Sequence, residues 1–184
     1  MNYVILDLEA TCWDQWEKNN NETIEIGAVL INDKREIISE FQSFIKPIRY
    51  PKLSEFCIKL TTIQQEQVDN AKYFYEVIEE FKKWFGYGEN EYILCSWGYY
   101  DKRQFEDDCK LHNLESEWCK KHISLKHQYG EIKMLQRNVG MKKALEIEKI
   151  SAIGTHHRGI DDARNISKIF LRNFDKWKFK SYDL

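Results

Sequence analysis

The segment VILDLEAT, residues 4–11, places two acidic side chains in an otherwise apolar strand pattern. In a β-strand, residues i and i+2 point to the same side, so Asp7 and Glu9 would be neighbours about 7 Å apart between their Cα atoms. Two like charges at this spacing repel each other, and burying them costs further free energy. The pattern therefore indicates a strand whose acidic end holds a bound cation.

The composition predicts one compact domain covering residues 1–184. The chain has 184 residues, 42% of them hydrophobic, which suffices for a sizeable core. A net charge of -2 does not exclude a nucleic-acid partner, because a whole-chain count hides any basic groove beside an acidic metal site.

The termini and the cysteines bear on the cellular compartment. Met1 leads directly into the first strand without a signal-peptide pattern, and the sequence contains no run of about 18 apolar residues. The five cysteines are odd in number and form no CxxC pair, which is typical of free thiols in a reducing compartment. We expect a cytoplasmic protein with no membrane partner.

A zinc site is an alternative use of four residues, Cys109, His112, Cys119 and His122. The gap between the two pairs is shorter than usual zinc-finger spacing, and the first pair falls on a predicted helix. Packed thiols and surface imidazoles are therefore the favoured interpretation.

The order of predicted elements indicates an α/β fold. Apolar patterns predict strands at 2–9, 23–31, 36–46 and 91–98, and helices at 73–86, 101–112, 141–147 and 160–174. Three strands in succession, followed by helices that alternate with a late strand, predict a mixed sheet with helices on its faces.

Two further acids are predicted to face the core. Asp101 begins a helix and shares a side with Phe105, although a carboxylate at this position is also explained by the helix dipole alone. In THHRGIDDARN, residues 155–165, Asp162 shares a face with Ile166, whereas its neighbour Asp161 lies on the polar face. His156 and His157 precede this helix in a loop, and the spacing does not choose between them.

Four inward carboxylates, Asp7, Glu9, Asp101 and Asp162, are too many to bury without positive charge. Hard oxygen ligands favour Mg²⁺ or Mn²⁺ over zinc. Two such ions, about 3.5 to 4 Å apart, are the apparatus of in-line phosphoryl displacement.

Three segments in order, DLEAT, SWGYYDKRQF and HHRGIDDARN, resemble the exonuclease motifs of the DEDDh superfamily of 3′-to-5′ exonucleases. The chain is similar to the Eri-type exoribonucleases and their KapD-like relatives over nearly its whole length. The resemblance implies an RNase H-like fold with a five-stranded mixed sheet flanked by helices, and it assigns the metal ligands to the same four carboxylates. It also favours His157 over His156 as the general base, since the family histidine lies five residues before the last aspartate.

The resemblance also implies how the substrate is held. It places Ala10 and Thr11 beside the terminal ribose, and Leu60 and Trp97 against the terminal base. Trp13 and Trp16 are further candidates for the rim of the site.

The expected activity is a 3′-to-5′ exoribonuclease that releases nucleoside 5′-monophosphates from single-stranded RNA or 3′ overhangs. In the mechanism we expect, Asp7 bridges two metal ions, Glu9 and Asp162 complete one site, Asp101 supports the other, and His157 takes the proton of the attacking water.

RNA is preferred over single-stranded DNA on the resemblance alone. A DNA exonuclease of the proofreading or repair type, or a silent nucleic-acid-binding module, are the alternatives; the presence of all four acids argues against the silent module.

Overall fold

A computed structural model describes residues 1–14 and 20–179, and within them one mixed sheet forms the centre of the fold. Its strands are β1 (Asn2–Ala10), β2 (Thr23–Asn32), β3 (Ile37–Lys46), β4 (Lys72–Tyr73), β5 (Tyr92–Ser96) and β6 (His122–Ser124). The order across the sheet is β4-β3-β2-β1-β5-β6. The first three strands pair antiparallel, whereas β4, β5 and β6 each pair parallel with a neighbour.

The predicted α/β architecture is confirmed, but the sheet described here has six strands rather than five. The longer predicted strands agree with the observed bounds to within two residues. The difference comes from the edge strand β4, which has only two residues and pairs with the end of β3. A strand this short carries no periodic pattern, and the same is true of the three-residue β6.

Helices cover both faces of the sheet. They are α1 (Glu55–Thr61), α2 (Gln65–Asp69), α3 (Phe74–Phe85), α4 (Tyr100–Leu111), α5 (Leu125–Ile132), α6 (Met141–Glu148) and α7 (Gly159–Arg172). None of the helices in the described ranges is long and apolar enough to cross a membrane.

The alternation of side chains along β1 explains where its acids lie. Val4 and Leu6 belong to one apolar cluster with residues of α3 and α4, whereas Tyr3 and Ile5 belong to a second cluster with residues of α5, α6 and α7. Asp7 continues the series of Tyr3 and Ile5, so its side chain emerges on the face that α7 covers. The period of two therefore directs the acids of β1 towards the helix that carries Asp162.

Two glycines allow α7 to begin directly against the sheet. A Cβ atom on Gly27 of β2 would lie 2.0 Å from the carbonyl carbon of Gly159, and one on Gly159 would lie 2.9 Å from the carbonyl oxygen of Asp7. Both distances are too short for a side chain. The missing side chains let the first turn of α7 approach β1 and β2 closely, which brings Asp162 towards Asp7.

The residues of the alternative zinc site have other environments. Cys109 and Cys119 are buried in the apolar cluster beside α3 and α4, the ring of His112 stacks on Phe74, and His122 hydrogen-bonds a serine. In the described part of the chain, these four side chains do not form a group that could hold a metal. All five cysteines are free thiols.

Candidate active site

One cavity of about 400 Å³ collects nearly all the residues predicted for the site. It lies where β1 ends, between the starts of α4 and α7. The predicted residues that line it are Asp7, Glu9, Ala10, Leu60, Trp97, Asp101, His157 and Asp162. Thr11 is not among the described residues of the lining.

Three carboxylates meet inside this cavity. Asp7, Glu9 and Asp162 each offer a carboxylate oxygen, and these atoms all lie within 4.8 Å of one another. Glu9 and Asp162 are 8% and 4% exposed, whereas Asp7 is partly exposed towards the cavity. The oxygens are close enough to bind the same cation.

Asp101 is held against β1 by a backbone hydrogen bond. It is 5% exposed in the first turn of α4, and its Oδ1 accepts the N–H of Leu8 at 3.1 Å. The pairing of β1 with β5 ends at Ile5, so this bond supplies a partner to a strand N–H beyond the ladder. Asp101 therefore lines the cavity beside the three carboxylates and is fixed to the strand that carries two of them.

Three of the acids, Asp7, Glu9 and Asp101, have raised pKa values. Burial raises the pKa of Asp7 well above its usual range, and the charges of Asp101, Glu9 and Asp162 raise it further. Burial and the charges of Asp162, Glu25 and Asp101 raise the pKa of Glu9 to about 8. Burial also raises the pKa of Asp101, against an opposing effect of hydrogen bonds. Such a cluster is costly on its own and fits a divalent cation, which would favour the ionised forms.

The two histidines beside Asp162 have different contacts. Nδ1 of His156 lies 3.1 Å and 3.0 Å from the two carboxylate oxygens of Asp162. The backbone N–H of His157 donates to Asp162 Oδ2 at 3.0 Å, and its ring lies tilted by 34° against that of His156 with centroids 3.9 Å apart. No side chain in the described ranges hydrogen-bonds the ring of His157, which borders the cavity. Burial, followed by the neighbouring His156, lowers the pKa of His157.

The chain matches a known protein family. The family model RNase_T, described as "Exonuclease", matches residues 4–170. The chain belongs to this exonuclease family. Membership implies dependence on a divalent metal ion, in agreement with the cluster of carboxylates.

Named relatives of the exonuclease come from animals and bacteria. It is 34% identical to 3'-5' exoribonuclease 1 of Rattus norvegicus over 91% of this chain and 51% of the rat protein. It is 28% identical to the probable 3'-5' exonuclease KapD of Bacillus subtilis (strain 168), over 91% of this chain and 82% of that protein. The chain thus spans about half the length of the mammalian exoribonuclease that it matches.

Solved structures agree with the fold and with the resemblance to DEDDh exonucleases. The nuclease domain of 3'hExo, described as a DEDDh family member and bound to rAMP, has a TM-score of 0.89 at 31% identity, over 97% of this chain and 94% of that one. A 3'-exonuclease that recognises the 3' end of histone mRNA stem-loop has a TM-score of 0.88 at 31% identity, over 95% of this chain and 81% of that one. The predicted membership of the DEDDh superfamily is confirmed.

The residues predicted to hold substrate divide into two groups in the structure. Ala10, Leu60 and Trp97 line the cavity, and the indole N–H of Trp97 donates to the carbonyl of Val139 at 3.1 Å, which fixes the ring. Thr11 is 1% exposed and exchanges bonds with one residue across the loop. Its N–H donates to the carbonyl of Glu22 at 2.9 Å, and its hydroxyl accepts the N–H of Glu22 at 3.0 Å. The N–H and the hydroxyl of Thr11 are thus both engaged by Glu22, and its place beside the terminal ribose stays a prediction.

Of the two tryptophans predicted for the rim of the site, one lies in the described residues. Trp13 lies edge-on to Tyr50 with ring centroids 4.8 Å apart, outside the described lining of the cavity. Trp16 lies outside the described residues.

Two residues of the exonuclease site were not anticipated from the sequence. Tyr100 lines the cavity directly before Asp101 and is 51% exposed, so it presents a free aromatic face. Glu25 of β2 is fully buried opposite Glu9. The exposed aromatic pair before Asp101 was a usable signal for Tyr100. Glu25 lies in a strand buried on both faces, so the sequence of β2 does not show the alternation of polar and apolar residues that would have set Glu25 apart.

Proposed function

We propose that this chain is a metal-dependent 3′-to-5′ exoribonuclease that releases nucleoside 5′-monophosphates from single-stranded RNA or 3′ overhangs. The observation that carries the proposal is the meeting of Asp7, Glu9 and Asp162 within 4.8 Å in a cavity that Asp101 and His157 also line. The relative bound to rAMP supports the product, because rAMP is a nucleoside monophosphate. We further propose that residues 1–184 form a single exonuclease domain.

The carboxylates fit Mg²⁺ or Mn²⁺, and we assign both proposed ions to Asp7, Glu9, Asp101 and Asp162. All four offer hard oxygen ligands, and an added positive charge would stabilise the ionised forms of the three carboxylates that lie within 4.8 Å of one another. When bound, the ions would stabilise negative charge on the phosphate oxygens and lower the pKa of water.

His157 is the proposed general base. Both histidines line the cavity, but Nδ1 of His156 is engaged by the carboxylate of Asp162, whereas no described side chain hydrogen-bonds the ring of His157. A ring nitrogen of His157 would accept the proton of the attacking water, which requires a free nitrogen within hydrogen-bond reach of that water. His156 would instead orient Asp162.

The terminal nucleotide would be held by apolar and aromatic side chains. Leu60 and Trp97 line the cavity, and Trp97 is fixed through its indole N–H. Tyr100 adds an exposed ring beside Asp101. Stacking of a base on an aromatic ring contributes about 1 to 3 kcal/mol and is largely independent of sequence. Ala10 lines the cavity and would lie beside the terminal ribose, and Thr11 would hold the end of β1 through its bonds to Glu22.

RNA is the proposed substrate class because of the relatives. The names of three similar proteins describe an exoribonuclease, a complex with histone mRNA stem-loop and a complex with rAMP. Single-stranded DNA is the alternative that the same site would accept, and it is tested directly against RNA.

The test uses 5′-labelled single-stranded RNA with Mg²⁺ or Mn²⁺. We expect a ladder that shortens by one nucleotide at a time, and we expect Asp162→Asn or a chelator to abolish it. Asp161→Asn is the matched control, because this adjacent acid bonds Thr155 and Arg164 instead of facing the three-carboxylate cluster. Internal cuts, or a ladder that persists in Asp162→Asn, would overturn the proposal. Faster loss of a DNA strand of the same sequence would favour the DNA alternative.

A further inference from the structure

His157 has an unusual backbone conformation for its residue type. Its φ angle is +64°, in the left-handed region of backbone conformation that residues other than glycine rarely adopt. Such a conformation persists where surrounding contacts fix it, and it is common at functional sites. The contacts on both sides of His157 therefore decide whether its ring faces the cavity.

One of these contacts is the hydrogen bond from the backbone of His157 to Asp162. The N–H of His157 donates to Asp162 Oδ2 at 3.0 Å, which fixes the chain on the side of the carboxylates. The other contacts are made by the next two residues, Arg158 and Gly159, and both reach the same acid on β2.

That acid is Glu25, which is fully buried. Its Oε2 accepts Nε of Arg158 at 3.2 Å and the N–H of Gly159 at 3.0 Å, and its Oε1 accepts Nε2 of Gln42 at 2.7 Å. The guanidinium of Arg158 also lies over the ring of Phe44, 5.4 Å from its centroid. Both oxygens of Glu25 are therefore engaged by protein donors, so this carboxylate is not free to join the metal ligands.

The charge of Glu25 is costly where it stands. Glu25 faces Glu9 across the β1–β2 pair, so its negative charge lies beside the acidic site. A glutamine could accept the N–H of Gly159 without adding a negative charge to an acidic site. A glutamate, in contrast, also requires the positive charge of Arg158, and the planar guanidinium ties residue 158 to one orientation.

We propose that Glu25 and Arg158 are positioning residues, a buried ion pair that holds the segment 157–159 so that His157 and Asp162 face the cavity. The contribution to turnover rests on the proposed function, whereas the effect on backbone conformation does not. Without the pair, the guanidinium of Arg158 would no longer hold residue 158 in one orientation, and His157 would be free to leave the left-handed conformation.

The same helix offers a matched comparison. Arg164 of α7 binds Glu40 of β3 through Nε at 3.0 Å and Nη2 at 2.6 Å, and these side chains are 37% and 40% exposed. This pair also connects α7 to the sheet, and Arg164 binds Asp161 as well, but neither member of the pair hydrogen-bonds a described residue of the segment 157–159. If an arginine–glutamate link from α7 to the sheet were merely structural, the two pairs would have similar effects on turnover.

The test compares the double variant Glu25→Gln/Arg158→Met with the control Glu40→Gln/Arg164→Met. Replacing both members of a buried ion pair with neutral side chains of similar size is often neutral for stability, so the first variant separates folding from positioning. We expect its kcat on labelled RNA to fall at least about tenfold, with a smaller change in KM, because misplaced catalytic groups reduce turnover. The control should keep kcat within about twofold of the wild type, since its pair is exposed and remote.

Amide hydrogen exchange gives a readout that does not require activity. We expect exchange at His157 to become at least about tenfold faster in the first variant, because the guanidinium no longer fixes residue 158, and to stay unchanged in the control. If the wild-type protein degraded no RNA, the proposed function would fail, while the exchange rates would still test the positioning.

A second variant covers the case in which the double variant does not fold. Arg158→Lys keeps the charge but cannot donate from two nitrogens of one plane. We expect it to melt near the wild-type temperature and to show the same faster exchange at His157 and lower kcat. The inference is overturned if folded variants keep wild-type kcat and exchange, or if the control loses as much turnover as the test variant.

Discussion

Replacing Glu9 by glutamine should stabilise the metal-free protein. The buried carboxyl of Glu9 has its pKa raised from 4.5 to about 8 by burial and by neighbouring acids. Because the folded state holds this proton more tightly than the unfolded state, stability falls as the pH rises from about 4.5 to about 8. Each pH unit in that window contributes about 1.4 kcal/mol, so at pH 7 the carboxyl lowers the free energy of unfolding by about 3 kcal/mol.

The assay is thermal unfolding with excess chelator at pH 5, 6, 7 and 8. A glutamine of nearly the same shape removes the titration, so at pH 7 the melting temperature should rise by roughly 5 to 10 °C. At pH 5 the two proteins should differ much less. Excess Mn²⁺ should stabilise the wild type more than Glu9→Gln, because only the wild type keeps every ligand.

Glu25→Gln is the control for this prediction. Glu25 is as buried as Glu9 and lies opposite it, but it is paired with Arg158. Its replacement leaves a partly buried cation without its partner and should lower the melting temperature. A Glu9→Gln protein that melts at or below the wild-type temperature at pH 7 in chelator would refute the reasoning.

Three further predictions concern the base, the substrate and the packing of α7. His157→Ala should lower kcat about 10²- to 10⁴-fold in single-turnover assays on labelled RNA, and His156→Ala should lower it less; equal losses would contradict the assignment of the base. Tyr100→Ala should raise KM for RNA by roughly 5- to 100-fold, as expected for the loss of one stacked base, with an unchanged melting temperature. Gly27→Ala should lower the free energy of unfolding in urea by about 3 kcal/mol or more, because its Cβ would lie 2.0 Å from Gly159; an unchanged urea midpoint would show that α7 does not need this close approach.

The carboxylates could be placed from the sequence because short-range geometry decides their direction. Asp7 and Glu9 share a face through the period of two along β1. Asp162 was separated from Asp161 by the helical period, and Asp161 does bond Arg164 on the polar side of α7. Neither step needed the path of a loop.

The residues that sequence reasoning missed depend on contacts between distant segments. The N–H of Thr11 donates to the carbonyl of Glu22, a residue outside the DLEAT motif. The motif alone therefore could not predict this hydrogen bond. The proposed role of Glu25 depends on its ion pair with Arg158, which lies more than 130 residues away in the sequence. Likewise, His156 and His157 differ only through their contacts with Asp162, which local spacing does not define.

The most direct measurement of the metal site is anomalous diffraction from crystals grown with Mn²⁺ and adenosine 5′-monophosphate. We predict two anomalous peaks in the cavity, with oxygens of Asp7, Glu9 and Asp162 at coordination distances of about 2.0 to 2.3 Å and Asp101 beside them. The nucleotide base should lie against Trp97. A cavity without manganese, in which the four carboxylates turn apart or pair with lysine and arginine side chains, would contradict the account.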